Sequence, residues 1–415
     1  MKAATATIPN LNEPSTHDVA ITSGPCGALV MGADYRALGV ARSLGRRGIP
    51  VWVINQGGHL VAAASRYVRR RLPWPSADDR ARVEYLLALS ATHHLDGWML
   101  VPTDDYTVGL VSNNHASLAN RYRLTVPAWK KLQWACDKRL LHQLAKKLRV
   151  PQPWTLCPLN REELAEADYP FPVILKPAVR LQPSSLSIPK AWLVEDRQSL
   201  LARFDEASAV LSAENLIIQE IVPGGGETQF SYAALCKDGR SLAYLVARRT
   251  RQFPRDFGQL STYVETVEAP EVIEPAERLL TEVRFTGLAE VEFKRDPRSG
   301  QFKVLDINPR VWGWHTLSRR AGVDFPYLLW LLVNGEPVPP LRGRAGERWV
   351  HWTADLRMAI EEVMTGRLSL QDYLRSIRGP LESAIFSWED PMPGILDLPL
   401  FAYTAGKRVL QAIGG

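Results

Sequence analysis

The first 25 residues are polar, punctuated by Pro9, Pro14 and Pro25, and carry no periodicity; they read as a flexible tail. The pattern then changes. Ala28-Leu29-Val30-Met31-Gly32 is a short apolar run closed by glycine, the signature of a buried strand. Leu38, Ala41 and Leu44 recur at helical spacing in a stretch from about Tyr35 to Arg47, which Gly48 ends. Val51-Trp52-Val53-Ile54 reads as the next strand and completes a βαβ unit, to which Trp98 to Val101 adds another strand. A helix is expected from about Trp129 to Leu148, stopped by Val150-Pro151. From Phe171 onward strands dominate: Val173 to Lys176, Leu216 to Ile221, Tyr232 to Leu235, Leu242 to Ala247, Leu288 to Lys294 and Phe302 to Ile307. Helices near Ser199 to Leu211 and Ile273 to Val283 interrupt them. Pro337, Pro339 and Pro340 mark a linker, and the roughly 75 residues after it read as mixed and mainly helical.

Length and composition narrow the classes. A chain of 415 residues exceeds one ordinary core, so two or three packed units are expected. Hydrophobic residues make up 46% and charged residues 23%, which excludes a disordered or collagen-like chain. The longest purely apolar run, Tyr327 to Val333, is far below the ~20 residues that span a membrane. No apolar segment near the N-terminus suggests a secretory signal. Four cysteines stand singly, without CxxC spacing; this suits reduced thiols in a cytoplasmic protein and gives no zinc site. The net charge of +6 is dispersed, its longest cluster being Arg69-Arg70-Arg71. That is no stripe for nucleic acid, although a mild basic excess suits polyphosphate substrates.

Candidate chemistry is concentrated at three places, and the first turn is not one of them. The first turn, Gly32 to Gly39, lacks the GxGxxG that a dinucleotide requires, so the opening unit reads as structural. Further on, Glu290-Val291-Glu292-Phe293-Lys294 and Phe302-Lys303-Val304-Leu305-Asp306-Ile307-Asn308 read as a hairpin around an Asp-Pro…Gly turn. Side-chain alternation puts Glu290, Glu292 and Lys294 on one face, and likewise Val304, Asp306 and Asn308. With the turn near Ser299, Glu292 faces Asp306 and Glu290 faces Asn308. Opposed like charges destabilise a hairpin unless a cation lies between them, and carboxylates plus an amide oxygen suit Mg²⁺. The bland alternative is a solvated hairpin face; the adjoining Asn308-Pro309-Arg310 counts against it. Upstream, Leu216 to Pro223 is a strand followed by a glycine turn that returns to Glu227. Lastly, Lys138 opens a helix and Lys176 ends an apolar strand before Pro177.

In this order, Asp137-Lys138, Val173-Ile174-Leu175-Lys176-Pro177, Ile218-Gln219-Glu220-Ile221-Val222-Pro223-Gly224 and Val291-Glu292-Phe293…Leu305-Asp306-Ile307-Asn308-Pro309-Arg310 resemble the ATP-grasp superfamily. The likeness is greatest to carboxylate–amine ligases of the D-aspartate ligase-like group. The resemblance implies an α/β chain with a Rossmann-like domain over 26–127 and a two-subdomain ATP-grasp fold over 128–335. Its lid subdomain would cover about 171–222, and a C-terminal extension 336–415. It further implies that Lys138 and Lys176 hold ATP phosphates, that Glu220 and Val222 meet the adenine edge, and that Glu227 meets the ribose. Ile174 and Leu305 would pack on the base, with Glu292, Asp306 and Asn308 as ligands of Mg²⁺ (Mn²⁺ being the alternative metal). Arg310 and, more loosely, Arg249 would join Lys176 as catalytic cations. The phosphate-covering loop departs from the family: Val179 to Ser187 holds no glycine.

The implied activity is amide formation between a small-molecule carboxylate and an amine through an acyl-phosphate. Alternatives are a kinase, a carboxylase or a non-catalytic nucleotide-binding regulator. A homodimer is compatible with this reading; nucleic-acid and membrane partners are not expected. Arg249, Arg251, Arg255 and Arg310 would suit an acidic substrate. His315 reads as a buried packing residue before it reads as a group facing the amine, and Trp312 and Trp314 read as core.

Overall fold

The computed structural model describes residues 26–55, 61–75, 78–179, 191–253, 258 and 260–397. The expected tail, the stretch 180–187 of the phosphate-covering loop and Arg255 lie outside them.

The N-terminal unit contains β1 (Ala28–Met31), α1 (Tyr35–Gly45), β2 (Val51–Asn55), β3 (Val68–Pro73), α2 (Asp79–His93), β4 (Met99–Pro102), α3 (Asp105–Asn113), α4 (His115–Ala119) and β5 (Arg123–Leu124). Its five strands run parallel in the order β3-β2-β1-β4-β5. β1 and β4 are buried along their whole length, as a parallel sheet covered on both faces requires. This is the expected Rossmann-like unit. β3 is its outer strand, and its exposed arginines blunt an edge that would otherwise pair with another chain.

The helix expected over 129–148 is two helices, α5 (Trp129–Cys136) and α6 (Lys138–Lys147). Asp137 breaks the run: its backbone is extended and its side chain accepts the Arg139 N–H, so it caps α6. That break places Lys138 in the first turn of a new helix.

A small antiparallel sheet follows, with order β6-β9-β7-β8, from β6 (Thr155–Leu156), β7 (Val173–Pro177), β8 (Trp192–Val194) and β9 (Leu216–Glu220). α7 (Arg161–Glu166) and α8 (Arg197–Ser208) belong to the same unit; their Leu164, Leu200 and Phe204 share a core with Val173 and Leu175. The unit therefore begins upstream of residue 171, because Thr155–Leu156 supplies its edge strand.

The largest sheet holds β10 (Gln229–Lys237), β11 (Arg240–Phe253), β12 (Leu260–Thr266), β13 (Gly287–Arg295) and β14 (Phe302–Asn308). It continues through β16 (Arg348–Val350) and β17 (Glu382–Ser383), while β15 (Leu341–Arg342) lies beside β11. α9 (Ile273–Glu282), α10 (Thr316–Arg320), α11 (Phe325–Val333), α12 (Trp352–Met364) and α13 (Leu370–Ser376) complete the chain. The segment after the prolines is thus no separate helical appendage: three of its strands extend the central sheet. No helix among the described residues is long and apolar enough to cross a membrane.

Candidate active site

The β13–β14 hairpin has the expected register at its functional end: Glu290 faces Asn308 and Glu292 faces Asp306. Nearer the turn the register shifts, and Phe293 pairs with Val304. Leu305 is the extra residue of this bulge, so strict alternation fails. Val304 turns into the core, 3% exposed, whereas Leu305 and Asp306 both reach the cavity. The expectation that Val304 shares the face of Asp306 and Asn308 is corrected by that bulge.

A cavity of about 610 Å³ lies between the hairpin, the small sheet and the N-terminal ends of α1 and α3. On β7, Val173 and Leu175 are buried in the small unit's core while Ile174 and Lys176 line the cavity, the alternation of a strand covered on one side by helices. Lys176 Nζ donates to Gln219 Oε1 at 2.8 Å. Lys138 Nζ stands 3.2 Å from Asp306 Oδ2. Arg249 Nη2 lies 3.0 Å from Glu292 Oε1. Asn308 Nδ2 donates to Glu290 at 3.0 Å and to Glu292 at 2.8 Å, and Arg310 Nη2 donates to Asn308 Oδ1 at 3.3 Å. Arg310 is oriented by Asp105 at 2.6 Å, an acid in the first turn of α3.

Glu290 is 2% exposed and accepts from Ser231, Asn308 and the Trp314 indole. Burial and then the neighbouring Glu292 charge push its pKa well above the usual carboxylate range. The four acids Glu290, Glu292, Asp306 and Asp105 are matched by Lys138, Lys176, Arg249 and Arg310, and Glu292, Asp306 and Asn308 stand together at the end of the hairpin as oxygen donors. Among the described residues no three His, Cys, Asp or Glu side chains are grouped to cage a metal. Mg²⁺ requires no such cage: it takes one or two carboxylates and completes its shell with water and substrate phosphate. Burial works against the charges of Arg249 and Arg310, but Glu292 beside the first and Asp105 beside the second outweigh it and keep both firmly protonated.

At the opposite end, Val222 lines the cavity, and its amide has no backbone partner among the described residues. Glu220 also lines this end, yet its carboxylate is engaged by Lys303, by Arg298 at 3.3 Å and by the Trp154 N–H at 3.1 Å. Burial alone would raise its pKa; these three partners lower it. Glu227 is exposed, is not part of the cavity lining and accepts the Gly225 N–H at 2.9 Å. Of the expected residues, Lys138, Ile174, Lys176, Glu220, Val222, Arg249, Glu292, Leu305, Asp306, Asn308 and Arg310 are brought together, and Glu227 is not. Arg251 is also elsewhere, its guanidinium paired with Asp355 at 2.7 Å. His315 is 1% exposed and bonds the Trp312 carbonyl through Nδ1, as a packing histidine would. Tyr35, Arg36 and Asp105 also line the cavity, and Asp105 owes its place there to Arg310, 205 positions away.

Residues 212–356, from the last strand of the small sheet to the start of α12, match the family described as ATP-grasp in the biosynthetic pathway with Ter operon. The D-aspartate ligase of Enterococcus faecium is 21% identical over 301 residues, covering 68% of this chain and 70% of that one. Among solved structures, the L-amino acid ligase of Bacillus licheniformis superposes with a TM-score of 0.61 at 14% identity, covering 79% of each chain. The biotin carboxylase domain of Hydrogenobacter thermophilus 2-oxoglutarate carboxylase, solved with MgADP, gives 0.61 at 14% identity over 77% of this chain and 73% of that one. The chain has the ATP-grasp fold. Within that class it is similar to carboxylate–amine ligases.

Proposed function

We propose that the protein is an ATP- and Mg²⁺-dependent ligase that joins a small-molecule carboxylate to an amine. The observation that carries this reading is the opposed pair Glu292–Asp306 beside Asn308, set in a cavity with Lys138, Lys176, Arg249 and Arg310. In the first step a carboxylate oxygen attacks the γ-phosphorus of ATP, the bond to the β–γ bridging oxygen breaks, and ADP leaves. The amine nitrogen then attacks the acyl carbon. The bond from that carbon to the phosphate oxygen breaks, inorganic phosphate leaves, and the amine's proton passes to phosphate or solvent.

Most of this chain's contribution is positioning and charge stabilisation. Ile174 and Leu305 would flank the base, and the Val222 N–H would donate to its edge. Glu220, already committed to Lys303 and Arg298, would shape that end of the cavity. Lys138 and Lys176 would hold the phosphates. Glu292, Asp306 and Asn308 would hold Mg²⁺, which supplies neutralisation of phosphate charge. Arg249 and Arg310 would stabilise the transferring phosphoryl and the acyl-phosphate.

The test is ADP release from MgATP with pooled carboxylates, with and without hydroxylamine as a general amine, and detection of the hydroxamate. A ligase requires a carboxylate and yields hydroxamate. Release of a stable phosphorylated product without any amine would indicate a kinase instead. Glu292→Gln and Asp306→Asn are each expected to lower turnover about a hundredfold, on the scale of losing one preorganised electrostatic contact. Undiminished turnover in both would remove the metal assignment.

A further inference from the structure

Tyr35 is the first residue of α1 and lines the cavity at the end away from the small sheet. Three elements hold it in place. Asp34 caps α1 by accepting the Arg36 and Ala37 N–H groups at 2.9 and 3.3 Å. From the C-terminal segment, His351 packs against the Tyr35 ring edge-on, with centroids 5.0 Å apart. From the loop after the hairpin, Gly313 comes so close that a Cβ there would lie 2.7 Å from the Tyr35 hydroxyl oxygen. A phenol held this tightly would ordinarily have a hydrogen-bond partner. Among the described residues the half-buried Tyr35 makes no hydrogen bond through its hydroxyl, which is open to the cavity.

The surroundings say what kind of partner it awaits. Arg36, Arg249 and Arg310 act electrostatically on Tyr35 in one direction and Asp34 in the other, and each arginine already faces a carboxylate, so it is the hydroxyl itself, a neutral donor open to the cavity, that calls for an oxygen acceptor. Arg36 is not itself available: Asp34 takes its guanidinium through Nε at 2.8 Å and Nη2 at 2.6 Å. Burial keeps the phenol in its protonated, donating form, its pKa pushed up to about 12. Tyr35 is therefore a fixed donor facing the region where Arg249 and Arg310 stand.

We propose that Tyr35 is a substrate-contacting residue whose hydroxyl donates a hydrogen bond to the carboxylate of the acyl donor, and that Gly313 sets its position. The assignment rests on the ligase reading. It also gives the C-terminal segment a part in the site, since His351 orients the ring.

The experiment uses the full chain with pooled L- and D-amino acids and C2–C6 mono- and dicarboxylates. Hydroxylamine traps the acyl-phosphate as hydroxamate, and calorimetry follows MgATP. Tyr35→Phe keeps the ring and its His351 contact. It is expected to lower kcat/KM for the carboxylate about tenfold, the scale of one hydrogen bond to a charged group, with MgATP affinity unchanged. Gly313→Ala should cause a comparable loss in the native background and little further loss in Tyr35→Phe, where the oxygen it would crowd is gone. Equal carboxylate kcat/KM in Tyr35→Phe and the native protein would overturn this assignment alone. So would independent, multiplying losses in the double variant. If the native protein yields no hydroxamate with any pool while binding MgATP, the ligase reading falls, and this assignment with it.

Discussion

At the scale of single residues, burial decides which polar groups stay neutral. His315 is 1% exposed, and desolvation lowers its pKa to about 4. Between the unfolded value near 6.5 and about 4, the unfolded chain binds a proton that the folded chain refuses. Stability should therefore fall as pH drops through that window, by about 1.4 kcal/mol per unit, and level off below it. Thermal denaturation across pH 4 to 7 checks this, with His315→Asn expected to flatten the dependence. Much of the candidate site was readable at this scale. Glu292, Asp306, Asn308, Lys138 and Lys176 sit in short motifs whose chemistry is local. The place of Glu227 was not legible, because nothing in its motif says that the glycine turn folds its carboxylate back onto the Gly225 amide. Tyr35 and Asp105 gave no signal at all. Asp105 matters through an arginine 205 positions away.

Among elements, the informative packing is α1 against the turn that precedes α10. Gly39 lies in the middle of α1, where a Cβ would come 2.4 Å from His315 Nε2 and 2.6 Å from Thr316 Cγ2. Helix and turn meet there without room for a methyl group. Gly39→Ala should consequently destabilise the fold by about 1–3 kcal/mol despite alanine's better helix propensity, a balance that denaturant titration can measure. The same packing positions Tyr35 above and the Trp312-Gly313-Trp314 turn beside the cavity. The hairpin teaches a complementary lesson. Its register followed from the local turn at Asp296 to Gly300, where Asp296 accepts backbone and side-chain bonds from Arg298. Its bulge at Leu305 did not follow, since period-2 reasoning assumes an unbroken ladder.

Over the whole molecule, two buried ion pairs among the described residues tie the C-terminal segment to the rest. Arg251 on β11 meets Asp355 of α12 through Nε at 2.9 Å and Nη2 at 2.7 Å, and Asp355 is wholly buried. Tyr263 and Tyr373 flank the same guanidinium, 4.1 and 5.2 Å from it. Arg42 on α1 meets Asp390 at 3.0 Å, with both side chains almost fully enclosed, and Ser65 also donates to that carboxylate. Removing one member leaves the other buried and unpaired. Asp355→Ala should cost about 3–5 kcal/mol, and Asp355→Asn less, because an amide oxygen still accepts from Arg251. Chemical denaturation of the two variants distinguishes the lost charge pair from a lost side-chain volume.

By itself the sequence determined what short-range physics controls: the alternation that sends Ile174 and Lys176 to one side of β7, the capping residue that starts α6 at Lys138, and the pairing of Glu292 with Asp306. Each depends on neighbours a few residues away or across one tight turn. Only the tertiary structure decided which partner each charge takes, that Val304 leaves the cavity face, and that the last strands join the central sheet. Tyr35, Gly313 and His351 meet from three separate parts of the chain. Such contacts are selected by the packing of whole units, which no local pattern of polar and apolar residues records.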